Sequence, residues 1–441
     1  MNVIFLTLAG ITDVEVRGIY QDLMRKFRDE GHRVYIVQSS ERRFEQETKL
    51  VEKKGVHILN VKTLNIQKTN VLEKGIGTLL IESQFTSAIK KYLSDVKFDL
   101  VLYSTPPITF PKVIAYLKRK NPQAMTYLLL KDIFPQNAVD LGMLQGMPVQ
   151  GSWFKVHGWS ARAKYQLYKY FRRKEKKLYA YSDYIGCMSP ANVKFVLEHN
   201  PEIEASRVEV APNSVELKTN TDDTNLTDKE LREKNERYYI RKKYELPTDK
   251  PVFIYGGNLG KPQGIDYLIK CLDAVKGRTD CHFVVVGTGT ELPKLQEWYD
   301  GLRLTAYGLK ANTNSTNHTN VTVMKGLPKE DYDMLVKYCD VGLIFLDHRF
   351  TIPNYPSRLL SYLEYKMPVV CATDVNTDIG RIAEENGYGY WCESVKPEDF
   401  TALVDKMLAS DRKAMGERGY AFLKENYLVE HTYNAIMRHF E

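Results

Sequence analysis

The chain has 441 residues and a net charge of +7, from 62 Lys and Arg against 55 Asp and Glu. This length exceeds what one hydrophobic core usually serves, so it predicts two domains of about 200 residues each. Hydrophobic residues make up 43% and charged residues 27%, which excludes the disordered and fibrous classes. The six scattered cysteines form no C-x-x-C pair, which disfavours a zinc site or a disulfide framework and predicts a reducing compartment.

The positive charge is concentrated in the first half of the chain. Residues 1–215 contain 32 Lys and Arg against 21 Asp and Glu, and the remainder contains 30 against 34. This asymmetry predicts an anionic partner for the first half, either nucleic acid or phospholipid. No recognised nucleic-acid motif accompanies the charge, so we expect no nucleic-acid partner. No apolar run approaches the length of a membrane-spanning helix.

Apolar runs alternate with helical stretches along both halves of the chain. In the first half, runs begin at Val3, Val34 and Leu100, with a helix predicted from Gly18 to Glu30. The same pattern restarts after a polar stretch from Glu216 to Lys250, with runs that begin at Pro251, Phe283, Val341 and Val369. Alternation of this kind is typical of βαβ units, so it predicts two parallel sheets with covering helices.

A glycine-rich segment directly follows one of the predicted strands. It reads Gly256-Gly257-Asn258-Leu259-Gly260-Lys261-Pro262-Gln263-Gly264 and leads into a helix predicted from Ile265 to Ala274. Glycines let a diphosphate approach the backbone, a helix N-terminus offers free N–H groups, and Lys261 adds a positive charge. The segment is neither a G-x-G-x-x-G fingerprint nor a Walker loop, which disfavours redox and ATPase functions. It predicts a phosphate site, with a plain strand-to-helix turn as the alternative.

A second segment combines turn-forming residues with a short helix. The helix is expected to start near Ser357 as its N-cap, and a buried strand follows Pro368. Its N-terminus and Arg358 can hold an anion. A ligand site and a capped structural helix both fit this segment.

The order of these segments carries a family resemblance. Together with Val286-Gly287-Thr288-Gly289, Lys325-Gly326-Leu327-Pro328 and Pro356-Ser357-Arg358-Leu359-Leu360, they resemble the second lobe of the family 4 glycosyltransferases with the GT-B fold. In the first half, Asp132-Ile133-Phe134-Pro135, Met188-Ser189-Pro190 and Ala211-Pro212-Asn213 lie where that family has similar segments. The resemblance spans nearly the whole chain and is nearest to bacterial enzymes that build capsular or O-antigen polysaccharide.

The resemblance implies an α/β fold with two Rossmann-like lobes that face each other across a cleft. Residues 1–214 would form the acceptor-binding lobe, and a C-terminal helix at residues 426–441 would return to it. Residues 215–425 would form the lobe that binds the nucleotide-sugar.

The resemblance also implies a reaction and the residues that perform it. A sugar, expected from a UDP-sugar, would pass with retention of configuration to a glycan or to a polyprenyl-diphosphate-linked acceptor. Cations and helix ends, rather than a metal or another cofactor, would stabilise the leaving diphosphate. The catalytic candidates are Lys261, Arg358 and Asp132, and Gly10 is expected on the acceptor side. The expected donor-binding residues are Gly257, Asn258, Gly260, Gly287, Leu327, Asn354, Tyr355, Pro356, Ser357 and Ser361.

The chain departs from the family at two glutamates that many members carry eight positions apart. Pro353 and Ser361 occupy the matching positions. The second glutamate is expected to bind the ribose hydroxyls, and a serine hydroxyl is a weaker partner than a carboxylate. Glu364, three residues further on, is the alternative contact.

This departure leaves a second function open, that of a non-catalytic partner subunit in a glycosyltransferase complex. A nucleotide-sugar 2-epimerase shares the fold, but the matching acids and histidines are missing. Asp331-Tyr332-Asp333 spells D-x-D in a predicted helix start, where we expect no metal site. Asp132 can contact the acceptor or serve only as a turn residue.

The stretch from Trp153 to Tyr184 predicts a basic, amphipathic helix. At 100° per residue its aromatic residues share one arc, and most of its cations share another. We expect this helix to dock a cytoplasmic protein on the inner face of the cell membrane. A helix packed through its aromatic residues, with a solvated basic face, is the alternative. The cations concerned are Arg162, Lys169, Arg172, Arg173, Lys176 and Lys177.

Overall fold

The computed structural model describes residues 1–66, 71–146, 159–217, 226–308 and 319–441. The chain divides into two compact units. Unit 1 comprises Met1–Glu216, Thr351–Asn354 and Tyr427–Glu441, and unit 2 comprises Leu217–Phe350 and Tyr355–Asn426. The division at residue 216 lies two residues beyond the boundary drawn from the sequence at residue 214.

Unit 1 is built on an eight-stranded sheet with the strand order β3-β4-β2-β1-β5-β6-β7-β8. All neighbouring strands are parallel except β3 and β4, which are antiparallel. The strands are β1 Asn2–Thr7, β2 Arg33–Glu41, β3 Lys49–Lys53, β4 Val56–Thr63, β5 Leu100–Ser104, β6 Met125–Leu130, β7 Tyr184–Cys187 and β8 Val208–Val210. The helices are α1 Ile19–Asp29, α2 Val71–Tyr92, α3 Pro111–Lys120, α4 Gln136–Asp140, α5 Trp159–Tyr181 and α6 Pro190–His199.

Unit 2 is built on a six-stranded parallel sheet with the strand order β11-β10-β9-β12-β13-β14. Its strands are β9 Val252–Asn258, β10 His282–Thr288, β11 Val321–Lys325, β12 Val341–Phe345, β13 Val369–Thr373 and β14 Gly389–Glu393. Its helices are α7 Leu226–Lys243, α8 Ile265–Val275, α9 Leu292–Gly308, α10 Lys329–Lys337, α11 Arg358–Glu364, α12 Ile379–Glu385, α13 Pro397–Ala409 and α14 Arg412–Asn426. The prediction of two α/β units with parallel sheets is confirmed.

Several central strands are short, mostly apolar runs, as is typical of parallel strands buried on both faces. Every residue of β5, β6, β12 and β13 is buried. In unit 1 the core includes Phe5, Ile36 and Leu102, and in unit 2 it includes Phe253, Val285 and Leu343. The rigid sheets therefore place their loops at defined positions along the carboxyl ends of the strands, where α/β proteins bind ligands.

The last helix, α15 Val429–Met437, packs on unit 1. Its buried side chains Val429 and Ile436 join the core of that unit. The Thr432 hydroxyl donates a hydrogen bond to the Pro212 carbonyl over 3.0 Å. In the described part of the chain, no helix has both the length and the apolar composition needed to cross a membrane.

Candidate functional site

The glycine-rich segment forms the end of β9 and the tight turn that leads into α8. β9 ends at Asn258, and a 3-10 turn from Lys261 to Gln263 precedes α8. The Gln263 Oε1 atom accepts hydrogen bonds from the Gly260 backbone N–H at 3.2 Å and from Asn258 Nδ2 at 3.0 Å. Gln263 thus fixes the shape of the loop, while the Lys261 side chain is exposed.

Two glycines at the end of β10, Gly287 within the strand and Gly289 just after it, have a packing role that the sequence did not reveal. A Cβ atom at Gly287 would lie less than 3.0 Å from the Gly257 carbonyl, and one at Gly289 would lie as close to the Leu259 carbonyl. The Leu259 N–H also donates to the Thr288 carbonyl at 2.8 Å. Close packing between the ends of β9 and β10 explains why position 287 is a glycine. The expected contact of Gly287 with the donor therefore stays a prediction.

Gly257, unlike Gly287, is exposed. Its φ angle of 125° lies in a region that side chains rarely adopt. A Cβ atom here would lie 3.5 Å from Nη2 of Arg358. The backbone of this loop is therefore open to a ligand and adjacent to a cation.

Arg358 is the first residue of α11, and its guanidinium is largely enclosed. The guanidinium lies over the Tyr255 ring, with 4.3 Å between its central carbon and the ring centroid. Its Nη1 atom is buried and has no hydrogen-bond partner among the described residues. A buried polar group without a partner is costly, so this atom is suited to an anionic ligand.

The expected cap at Ser357 is not formed by its side chain. Ser357 occupies the N-cap position, but its backbone is already in the right-handed helical region and its hydroxyl makes no capping hydrogen bond. α11 is only seven residues long. The cation at Arg358 is therefore the main attraction for an anion at this helix end.

Ser361, rather than Glu364, shares the side of α11 that carries Arg358. At about 100° per residue, Ser361 is turned by about 60° from Arg358, and Glu364 by about 120°. Both side chains are partly exposed. Ser361 therefore remains the better candidate for a ribose contact.

The other predicted donor residues lie at two further places. Leu327 follows β11 and is half-buried, and Tyr355 and Pro356 precede α11. Asn354 belongs to the short segment that groups with unit 1. In that segment the Pro353 carbonyl accepts a hydrogen bond from Asn192 Nδ2 at 2.8 Å, and Pro353 is buried.

Asp132 follows β6 at the carboxyl edge of the unit 1 sheet. Its Oδ1 atom accepts a hydrogen bond from Asn137 Nδ2 at 2.6 Å. Burial raises the pKa of Asp132 to about 6. The neighbouring Lys131 donates to the Ala211 carbonyl at 3.0 Å, and burial lowers its pKa to about 7.

Gly10 lies beyond β1 in the same unit. It is exposed, and a Cβ atom there would meet no heavy atom within 4 Å. Gln38 anchors the adjacent residue through Nε2, which donates to the Ile11 carbonyl at 2.9 Å. Gly10 therefore lies on a fixed loop with open space around it.

Helix α5 covers residues 159–181 of the basic stretch, whereas residues 153–158 lie outside the described residues. Several aromatic residues of α5 face inward. Tyr168 and Tyr179 are buried, and Tyr165 and Phe171 are half-buried and pack against the small core around Ala138. This packing favours the alternative interpretation, in which these aromatics hold α5 on unit 1, and membrane docking stays a prediction.

The six cations of α5 differ in their surroundings. Arg172 donates to Glu175 at 2.5 Å and to the Asn200 side chain at 2.8 Å, and Lys176 pairs with Glu202 at 3.0 Å. Lys176 is exposed despite this ion pair, as are Arg162, Lys169, Arg173 and Lys177.

Next to α5, the surface of α2 carries exposed apolar side chains that no sequence pattern indicated. On α2, Ile76, Leu79 and Leu80 are 45%, 56% and 40% exposed and lie at helical spacing. An ion pair of 2.5 Å between Lys174 and Glu82 joins α5 to α2. A groove of about 920 Å³ follows the same surface; the residues that line it include Leu79, Lys90, Lys112, Arg119 and Tyr181.

Most of unit 2 matches a known protein family model. Residues 236–422 match the family model described as glycosyl transferases group 1. This part of unit 2 is therefore similar to the group 1 glycosyl transferases. The match covers β9 to α13 and most of α14, and so includes Gly257 and Arg358.

Two curated relatives are also glycosyltransferases by their descriptions. The chain is 22% identical over 178 residues to the probable glycosyltransferase WbjE of Pseudomonas aeruginosa, covering 40% of this chain and 41% of WbjE. It is 24% identical over 168 residues to WcaI of Escherichia coli K12, a putative colanic acid biosynthesis glycosyl transferase, covering 37% and 36%. The chain thus matches about two-fifths of the length of these relatives.

Solved structures extend the likeness of fold to both units. The structure of Alr3699/HepE from Anabaena, in complex with UDP and glucose, has a TM-score of 0.65 and 13% sequence identity. The match covers 100% of this chain and 99% of that one. The structural neighbours are GT-B glycosyltransferases, so the fold is of this type.

Proposed function

We propose that this chain is a retaining, metal-independent glycosyltransferase that moves a sugar from a nucleotide-sugar, with UDP as the favoured nucleotide. The observation that carries the proposal is the Arg358 guanidinium, whose buried Nη1 atom has no hydrogen-bond partner among the described residues. Its Nη2 atom would lie 3.5 Å from a Cβ atom at the exposed Gly257. A guanidinium in this position can donate to a diphosphate.

The proposed chemistry is electrostatic. As the sugar leaves, negative charge develops on the diphosphate, and a positioned cation stabilises that charge without any rearrangement. Arg358 is enclosed and held, so it is the principal catalytic cation. Lys261 is exposed, so it can add a second charge when the donor is bound.

The proposed acceptor is a glycan or a polyprenyl-diphosphate-linked sugar that binds unit 1 near Gly10 and Asp132. Both residues follow strands at the carboxyl edge of that sheet. Ionised Asp132 would accept a hydrogen bond from the acceptor hydroxyl. The description of WcaI as a putative colanic acid biosynthesis glycosyl transferase supports a role in surface polysaccharide synthesis.

A membrane-facing surface on unit 1 fits a lipid-linked acceptor. We place it on the exposed cations of α5 and on the exposed side chains of α2, Ile76, Leu79 and Leu80. Cations attract anionic headgroups, and aliphatic side chains enter the interface. The protein would then act at the inner face of the cell membrane.

A second candidate function is that of a non-catalytic partner subunit. It is favoured by Pro353, which is buried and occupies a position where many relatives carry a glutamate. Ser361 replaces the second glutamate. A partner subunit would keep the fold, and it would bind nucleotide weakly or not at all.

A thermal-shift screen tests the donor site. UDP, GDP, ADP and dTDP are added to the wild type, to Arg358→Ala and to the control Arg412→Ala. Arg412 is a half-buried arginine of unit 2 that donates to the Met407 and Leu408 carbonyls. We expect UDP to raise the melting temperature of the wild type and of Arg412→Ala, and to raise that of Arg358→Ala by much less. No shift with any nucleotide would refute the donor site, and binding without transfer would favour the partner subunit.

A further inference from the structure

We propose that Tyr255 is a positioning residue, which holds the Arg358 guanidinium beneath the Gly257 backbone so that it can bind a diphosphate. The inference rests on the proposed function, because a diphosphate donor is what the cation is positioned for. It deepens that function by naming a residue that does not touch the donor.

The Tyr255 ring is fixed from two sides. The residue lies inside β9 and is fully buried. Its hydroxyl donates a hydrogen bond of 2.9 Å to the Asn258 carbonyl, at the end of the same strand. The ring therefore cannot turn away, and its face forms a rigid support for a cation.

Arg358 lies on that face. The distance of 4.3 Å from its central guanidinium carbon to the ring centroid is within the range of a cation–π contact. An arginine side chain has many rotamers, and binding a ligand through it normally costs the entropy of choosing one. Stacking on a fixed ring selects the orientation before the ligand arrives.

Two more tyrosines lie near Gly256 and influence the charge of Arg358. The Tyr362 hydroxyl accepts a hydrogen bond from the Gly256 N–H at 3.3 Å. Tyr332 packs so closely on β9 that a Cβ atom at Gly256 would lie less than 3.0 Å from its ring. Gly256 therefore admits Tyr332 beside the strand that carries Tyr255.

The tyrosine side chains near Arg358 are neutral and do not cancel the positive charge of its guanidinium. Burial raises the pKa of Tyr332 to about 12, against the opposing influence of Arg358, so its phenol is neutral at physiological pH. Neutral rings support a guanidinium without cancelling its charge, whereas a carboxylate would compete with the diphosphate. The arrangement is that of an anion-binding cation prepared in advance.

A double-mutant cycle tests the proposal on the full chain. Binding of UDP and of inorganic pyrophosphate is measured by calorimetry for the wild type, Tyr255→Leu, Arg358→Ala and the double variant. We expect Tyr255→Leu to weaken binding about tenfold, and to weaken it no further when Arg358 is already alanine. Tyr255→Phe keeps the ring face and should bind within about threefold of the wild type.

The outcomes separate positioning from general damage to the fold. Equal losses from Tyr255→Leu in both backgrounds, or no loss in either, would overturn the positioning role. If Tyr255→Leu does not fold, Tyr255→Met replaces it, because methionine fills irregular buried sites well. Loss of binding in Tyr255→Phe equal to that in Tyr255→Leu would also overturn the role of the ring.

Inorganic pyrophosphate distinguishes failure of this inference from failure of the proposed function. Binding of pyrophosphate but not of UDP, with the coupling intact, would keep the positioning role and refute the nucleotide-sugar donor. Binding of UDP without coupling would keep the donor site and refute the role of Tyr255. If the wild type binds neither anion, both proposals fail.

Discussion

Asn137 donates a hydrogen bond from Nδ2 to Oδ1 of Asp132 over 2.6 Å, and so holds the carboxyl group in one orientation. Burial outweighs this bond and raises the pKa of Asp132 from 3.8 to about 6. The carboxyl group is therefore positioned and able to change its protonation state near physiological pH. Two measurable consequences follow for stability and for transfer.

The stability of the protein should depend on the charge of Asp132. Because the folded-state pKa lies above the unfolded value, the folded chain retains a proton that the unfolded chain loses, and stability falls as pH rises from about 4 to about 6. Asp132→Asn removes this cost. Between pH 4.5 and pH 7.5 the variant should gain about 1 to 2 kcal/mol on the wild type. Thermal unfolding at both pH values measures the gain; a constant difference would contradict it.

Sugar transfer should require the ionised form of Asp132, whereas stability is greatest with the protonated form. Ionised Asp132 is the form that can accept a hydrogen bond from an acceptor hydroxyl, so wild-type transfer should decline as pH falls through about 6. Asp132→Asn should be slow and should lack this titration. Asp374→Asn is the control, because burial also raises the pKa of Asp374 to about 6, but this residue belongs to unit 2. An unchanged pH profile in Asp132→Asn would remove Asp132 from the acceptor site.

Arg358→Ala and Lys261→Ala should each reduce transfer while leaving the fold intact. We expect losses of about one to two orders of magnitude, typical of removing a group that stabilises developing charge. The loss should be larger for Arg358, because it is enclosed and Lys261 is exposed. Initial rates with a UDP-sugar measure both, and Lys270→Ala, an exposed lysine on α8, is the control for Lys261. Rates near that of the wild type in both variants would exclude the diphosphate assignment.

Chelation of divalent ions should leave transfer intact. The proposed mechanism assigns the charge of the leaving diphosphate to Arg358 and Lys261, so no metal ion is required for that role. Transfer is measured after dialysis against EDTA and again after Mg²⁺ or Mn²⁺ is restored. A strict requirement for either ion would show that the two cations are insufficient.

The sequence predicted the sheets well because strand patterns are local. A buried parallel strand is a continuous apolar run, and the helix predicted at Ile265–Ala274 differs by one residue from α8. Lys261, Gly257 and Arg358 were also selected from the sequence, because each lies in a recognisable segment next to a strand or helix end.

Tertiary contacts could not be predicted in the same way. Gly287 packs against the Gly257 carbonyl only because β10 is adjacent to β9 in the sheet. Tyr255 supports Arg358 from about 100 residues away in sequence, and no local pattern signals that contact. The inward turn of Tyr168 on α5 likewise depends on the core around Ala138. The helical period predicted an aromatic arc and a basic arc on α5, but it did not predict which arc packs against the protein.

The membrane prediction is tested with four exposed cations of α5. Arg162, Lys169, Arg173 and Lys177 are changed together to Glu, while Arg172 and Lys176 are kept because they pair with acidic residues of unit 1. We expect wild-type protein to sediment with phosphatidylglycerol liposomes at low salt and the quadruple variant to stay in the supernatant. Each well-placed cation contributes about 1 kcal/mol to such binding, so four reversals abolish it.

Salt and a charge-matched control separate a specific surface from net charge. Screening shortens the reach of each cation to about 8 Å at physiological ionic strength, so binding should weaken as salt is added. The control changes four exposed cations of unit 2 to Glu, namely Lys270, Arg381, Lys396 and Lys413, and should still sediment. Leu79→Ser with Leu80→Ser should remove the binding that persists at high salt, because that part depends on apolar insertion from α2. If the wild type stays in the supernatant at low salt, or if both quadruple variants sediment equally, then α5 has only a solvated basic face and the protein reaches its acceptor without this surface.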